Sequence, residues 1–174
     1  MRLRTIAVLF VTGLVVVGAG LASRNGIWRT HLDGSAEVPI RDTRGQGQAI
    51  FKLSKDGTSI DYKLIASNIE NVIMAHIHAG IPGVNGPIVV WLYPSTAPNI
   101  QAPPGGGRTD GVLAEGTFGA GDLVGTLTGL PLSALLDLLN NGGAYVNVHT
   151  NDGVAPTNTG PGDFPGGEIR GDVG

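Results

Sequence analysis

A chain of 174 residues with 29 glycines, 11 prolines and no cysteine is long enough for one domain with a modest core and must hold itself together without disulfides. The missing cysteines also exclude thiolate metal sites and thiol nucleophiles, so any chemistry falls to histidines, carboxylates, hydroxyls or a metal ion. With 14 acidic against 11 basic residues and no basic cluster, the chain lacks the charge footprint of a nucleic-acid binder or of a protein drawn to anionic membrane surfaces.

The first segment predicts a secretory signal. Arg2 and Arg4 precede an apolar run over 6–21, which ends in Gly20-Leu21-Ala22, small residues of the kind a signal peptidase accepts. The run is short for a membrane span, so cleavage after Ala22 is expected, giving a signal over 1–22 and a single domain over 23–174. An uncleaved N-terminal anchor is the alternative and would be the only attachment to a membrane. Either way the folded part is expected outside the cytoplasm: secreted, periplasmic or at the cell surface. Losing Arg2 and Arg4 makes the mature chain more acidic than the formal −3 of the whole.

Eight strands follow. Residues 27–32 alternate Trp28, Thr30 and Leu32 against Arg29 and His31. Strands over 46–53 and 59–66 flank Ser54-Lys55-Asp56-Gly57-Thr58, whose central Asp-Gly marks a hairpin turn. Strands over 72–79 and 87–93 are separated by a glycine-rich stretch over 80–86. Residues 112–119 alternate Val112, Ala114, Gly116 and Phe118 against Leu113, Glu115 and Thr117. Residues 132–139 carry apolar side chains at helical spacing, with Pro131 before them and Asn140-Asn141-Gly142-Gly143 after them, where helix boundaries favour such residues. Strands over 144–150 and 168–173 close the set, and long loops are expected over 94–110 and 151–167. The expected fold is all-β: an antiparallel, Greek-key-like sandwich or flattened barrel of about eight strands, with one short helix capping an end.

Two of the four histidines lie in Met74-Ala75-His76-Ile77-His78-Ala79. In a strand, residues i and i+2 share a face at roughly 6.6 Å spacing, so two imidazoles can converge on one ion. Ala75, Ile77 and Ala79 suit a core, which leaves Met74, His76 and His78 pointing outward. Tyr145-Val146-Asn147-Val148-His149-Thr150 repeats the arrangement, with Val146 and Val148 on one face and Tyr145, Asn147 and His149 on the other. If these strands are neighbours, His76, His78 and His149 form a site for copper or zinc. His31 also points outward, as a fourth ligand or as a surface residue.

Several motifs resemble the CHRD (chordin-repeat) domain family. Leu32-Asp33-Gly34-Ser35-Ala36-Glu37-Val38-Pro39 resembles its opening motif. Ala75-His76-Ile77-His78-Ala79-Gly80, followed by Gly86-Pro87-Ile88-Val89-Val90, resembles its central motif. Tyr145-Val146-Asn147-Val148-His149-Thr150 and Gly166-Gly167-Glu168-Ile169-Arg170-Gly171 resemble its closing pair. The resemblance implies export and a β-sandwich, and it does not imply an enzyme. The loop over 151–167 is longer than the family's usual spacing there. A looser similarity to copper/zinc superoxide dismutase would make the three histidines copper ligands and Arg170 an anion-guiding residue, although this chain lacks that family's cysteines and its separate zinc cluster.

Of the remaining polar residues, Glu37 suits either a carboxylate supporting the site or a simple turn residue before Pro39. Asn147 stands as a further support or ligand. Glu168 and Arg170 could orient a metal-bound water or an anion, or form ion pairs with strand neighbours. Asn151, Asp152 and Asp163 offer oxygens to calcium, but without the spacing of an EF-hand, so a plain loop is expected. The function these readings favour is a non-enzymatic binding module that holds copper or zinc, with another extracellular protein as a further partner. A copper-dependent dismutase-like oxidoreductase and a purely structural or envelope protein are the alternatives.

Overall fold

The computed structural model describes residues 26–94 and 101–174. The expected signal over 1–22 and part of the loop over 94–110 lie outside the described residues. Eight strands form one sheet: β1 (Ile27–Asp33), β2 (Gln46–Leu53), β3 (Ser59–Glu70), β4 (Val72–Ala79), β5 (Ile88–Tyr93), β6 (Arg108–Gly119), β7 (Ala144–Thr150) and β8 (Ile169–Val173). Their spatial order is β5-β4-β7-β8-β1-β2-β3-β6, and every recorded pair is antiparallel.

The sheet curls until its two edges nearly meet, so the fold is a nearly closed barrel. Across the seam, Tyr62 Oη on β3 donates to the Leu92 carbonyl on β5 at 2.8 Å. Val124, just beyond β6, donates its backbone N–H to Val89 on β5 at 2.9 Å. Closure hides strand edges that would otherwise offer unpaired backbone groups.

Period-two alternation directs apolar side chains inward. Trp28, Leu32, Ala49, Phe51, Ile60, Leu64, Ala75, Ile77, Val146, Val148 and Ile169 share one core cluster. Each fully buried leucine or phenylalanine contributes about 1.5–3 kcal/mol. Helix α1 (Leu132–Asn140) adds Leu132, Leu135 and Leu139 to that core and is tied back to β1 by Trp28 Nε1 donating to Asn140 Oδ1 at 3.1 Å.

The longest strands differ most from expectation. β3 and β6 continue together, through Ile69↔Thr109 to Glu70↔Arg108, beyond the residues whose apolar alternation announces a strand. Two register shifts make this possible, and the left-handed backbone of Asn68 (φ 53) belongs to the second. The added stretch is held by polar groups: Asn68 N–H donates to Asp110 Oδ1 at 2.8 Å, and Arg108 Nη2 donates to Asn68 Oδ1 at 2.8 Å. The first shift leaves Leu113 without a partner on β3, which interrupts the alternation expected over 112–119. Val112 is accordingly exposed, while Phe118 is buried.

Candidate metal centre

β4 and β7 are neighbours, with Met74↔His149, His76↔Asn147 and His78↔Tyr145 in register. β5 sets Trp91 opposite His76, and β8 sets Arg170 opposite Asn147 and Asp172 opposite Tyr145. A polar row, Trp91–His76–Asn147–Arg170–Asp33, therefore crosses five strands on the face away from the core. Beneath it Ala75, Ile77, Val146 and Val148 face inward.

This outer face is not exposed to solvent, contrary to the sequence expectation. His76 is 0%, His78 7% and His149 6% exposed. Two loops and an indole cover them. His149 Nδ1 lies 2.8 Å from the Pro165 carbonyl, in the loop between β7 and β8. His78 Nδ1 lies 2.9 Å from the Gly86 carbonyl, in the loop between β4 and β5. Trp91 packs edge-on against His76 with ring centroids 4.2 Å apart.

Those contacts fix the tautomers. A carbonyl only accepts, so His78 and His149 each carry a proton on Nδ1 and present an Nε2 lone pair. Such a second hydrogen bond is what orients a metal-ligating imidazole. His76 Nδ1 sits 3.2 Å from His149 Nε2 and donates to it. His76 Nε2 and His78 Nε2 are buried and have no hydrogen-bond partner among the described residues. Burial pushes all three histidines toward the neutral form, His76 down to about 2 and His149 to about 4, with neighbouring imidazoles adding to the effect at those two and the Arg170 charge adding to it at His78. They are lone-pair donors throughout the physiological range.

One nitrogen from each ring can be chosen so that all three lie within 4.8 Å of one another. Metal–nitrogen bonds of about 2.0–2.1 Å set nitrogens about 3.4 Å apart on a tetrahedral ion. A contraction of at most about 1.4 Å in the widest pair meets that spacing, within reach of small side-chain rotations. The cluster could therefore hold a metal ion.

The other candidate residues take various places. Asn147 donates Nδ2 to Glu37 Oε1 at 3.2 Å, and its own Oδ1 is buried without a partner. Glu37 is 3% exposed, and desolvation raises its carboxyl to about 7 against the pull of the Asn147 amide and of Arg170 and Arg41. Gly167, at φ +123°, closes over this pair; a Cβ there would collide with both the Asn147 amide and the Glu37 carboxylate.

Arg170 is wholly buried and uses its donors structurally. Nε and Nη2 bond Asp172 Oδ1 at 2.9 and 2.8 Å, Nη1 bonds the Val84 carbonyl at 3.2 Å, and Nη2 bonds the Ile81 carbonyl at 3.1 Å. Its guanidinium lies 3.5 Å over the Tyr145 ring, which in turn stacks on His78 at 4.7 Å. It thus clamps the loop that covers His78 and does not face solvent. Glu168 does not pair with it. Glu168 accepts from Thr43 Oγ1 and Thr150 Oγ1, both at 2.6 Å, and from the Gly162 N–H at 2.8 Å, anchoring the second covering loop.

His31 stands apart. Its side chain is 58% exposed, 3.8 Å from Asp33, and it does not join the cluster. The acidic and amide groups of the loop over 151–167 cap local turns: Asn151 Oδ1 accepts from Gly153 N–H, Asp152 Oδ1 from Val154 N–H, and Asp163 Oδ2 from Thr159. Trp91 and the two covering carbonyls escaped sequence reasoning. Trp91 alternates within its strand like a core residue, and a backbone carbonyl carries no residue-type signal.

A family model described as CHRD domain matches residues 28–173. Neither the curated proteins nor the solved structures gave a match.

Proposed function

This chain belongs to the CHRD domain family, and on that premise we propose that it is an exported binding protein holding a transition-metal ion, copper or zinc, on His76, His78 and His149. One observation carries the reading: two imidazole nitrogens, His76 Nε2 and His78 Nε2, are buried without a partner beside a third histidine, whose Nε2 accepts only from the neighbouring His76 ring at 3.2 Å. A buried polar atom left unpaired costs about 1–3 kcal/mol. Histidines that served only to pin loops would need Nδ1 alone, and His76 pins no loop. An ion would satisfy both unpaired nitrogens at once and take the His149 Nε2 lone pair in exchange for its hydrogen bond from His76. Bound there, it would supply positive charge to a site otherwise built from neutral rings.

The test is metal content of protein purified without a histidine tag, followed by copper and zinc titration of the parent, His76→Ala and His149→Ala. Stoichiometric binding by the parent, lost in both variants, is the expected result. Equal binding by all three proteins would remove the site.

A further inference from the structure

The metal-site reading leaves one soft donor unused. Met74 pairs directly with His149 across β4 and β7, which places their Cβ atoms about 5 Å apart. The β4–β7 register runs without a break from Met74 to Ala79, so Met74 shares the face of His76 and His78. The register shift between Val72 and Met74 leaves Ile73 as the extra residue, and this bulge sets Met74 opposite a histidine. Met74 is half-buried. Its thioether is two bonds beyond Cβ on a flexible stem, so small torsional changes carry the sulfur over a wide arc.

Charge supplies an independent argument. No carboxylate joins the cluster. The buried carboxyl closest by hydrogen bonding, Glu37, stands behind the Asn147 amide. The charge stacked against the site through Tyr145 is the positive guanidinium of Arg170, itself bonded to Asp172. The cost of burying an ion in a low-dielectric site grows with the square of its charge, and a neutral donor set does nothing to cancel that charge. A monovalent ion meets about one quarter of the penalty met by a divalent one. Thioether and imidazole donors together favour copper(I) over harder or divalent ions.

We propose that the centre is a copper(I) site in which the Met74 sulfur joins the three histidines. This rests on the metal-site reading above and goes beyond it by naming the oxidation state and a fourth donor. The experiment measures copper(I) affinity under anaerobic, reducing conditions against a chromophoric chelator, and zinc affinity by chelator competition. It uses the parent, Met74→Leu and His149→Ala. Leucine fills nearly the same volume as methionine, so the fold is retained.

Parent protein should bind copper(I) far more tightly than zinc. Met74→Leu should lose at least about tenfold in copper(I) affinity with zinc affinity unchanged within about twofold. X-ray absorption of the copper(I)-loaded parent should show a sulfur neighbour, which Met74→Leu removes. Unchanged copper(I) affinity, an equal loss for both metals, or a nitrogen-only copper environment would overturn the proposal while leaving the histidine site intact. Parent-like binding of both metals by His149→Ala would instead overturn the histidine site, and this proposal with it.

Discussion

Two buried polar clusters flank the same loop, and they differ in how completely they are satisfied. Around Glu168 each carboxylate oxygen meets donors: Thr43 on one side, Thr150 and the Gly162 N–H on the other. Around His76 two ring nitrogens and the Asn147 amide oxygen meet none. Both clusters are deeply buried and both lie against the loop that joins β7 to β8. A closed network rigidifies a fold, whereas an open one at the same depth carries an energetic debt that a ligand can remove. Burial alone therefore does not distinguish a structural cluster from a binding one; the count of unmet donors and acceptors does.

The sharpest break of this comparison is Glu168→Ala. It strands two hydroxyls and a backbone N–H, and a loss of about 3–5 kcal/mol is expected in urea denaturation. A loss under about 1 kcal/mol would show that the network is not closed in solution. Next in size is stabilisation by the ion. At a free metal concentration a hundred times the dissociation constant, the parent should gain about 2.7 kcal/mol, and His76→Leu should gain nothing. In the metal-free state the same His76→Leu should cost little, because it removes an unpaired nitrogen along with one hydrogen bond.

Acid titration follows. The histidines hold depressed pKa values in the fold, so the unfolded chain takes up protons below about 6.5 that the folded chain refuses until about 4 at His149 and about 2 at His76. Metal-free stability should thus fall as pH drops below about 6.5, by up to about 1.4 kcal/mol per pH unit for each of His76 and His149, with His78 acting in the same direction. Glu37 works in the opposite sense. Its carboxyl is raised from 4.5 to about 7, so the folded chain binds the extra proton and stability declines as pH rises through that window. Glu37→Gln should leave stability within about 1 kcal/mol at pH 5 and steepen the acid loss between pH 5 and 7, measured by thermal melts across pH. An unchanged pH slope would mean that Glu37 titrates normally.

Much of this was readable in the residues themselves. The strand alternation of Trp28, Thr30 and Leu32, the Asp-Gly turn after β2, the helix after Pro131 and the opposed faces of Ala75 and His76 all follow from local stereochemistry. The continuation of β3 and β6 was not readable, because Asn68, Arg108 and Asp110 are held by cross-strand hydrogen bonds that no hydrophobic pattern announces. The place of Arg170 was equally hidden: its donors meet the carbonyls of Ile81 and Val84, nearly ninety residues away in the chain.

The order of side chains along each ribbon settled which residues share a face, since the pleat repeats every two residues whatever surrounds it. It also settled that His76 and His78 lie on the side opposite the core. Only the folded chain decided that this side would be dry. The Pro165 and Gly86 carbonyls, the Trp91 ring and the Arg170 clamp come from separate parts of the chain, and their arrival over the histidines depends on strand order and register. Local rules set direction; long-range pairing set desolvation, and desolvation makes three ordinary imidazoles into neutral donors with lone pairs left to share.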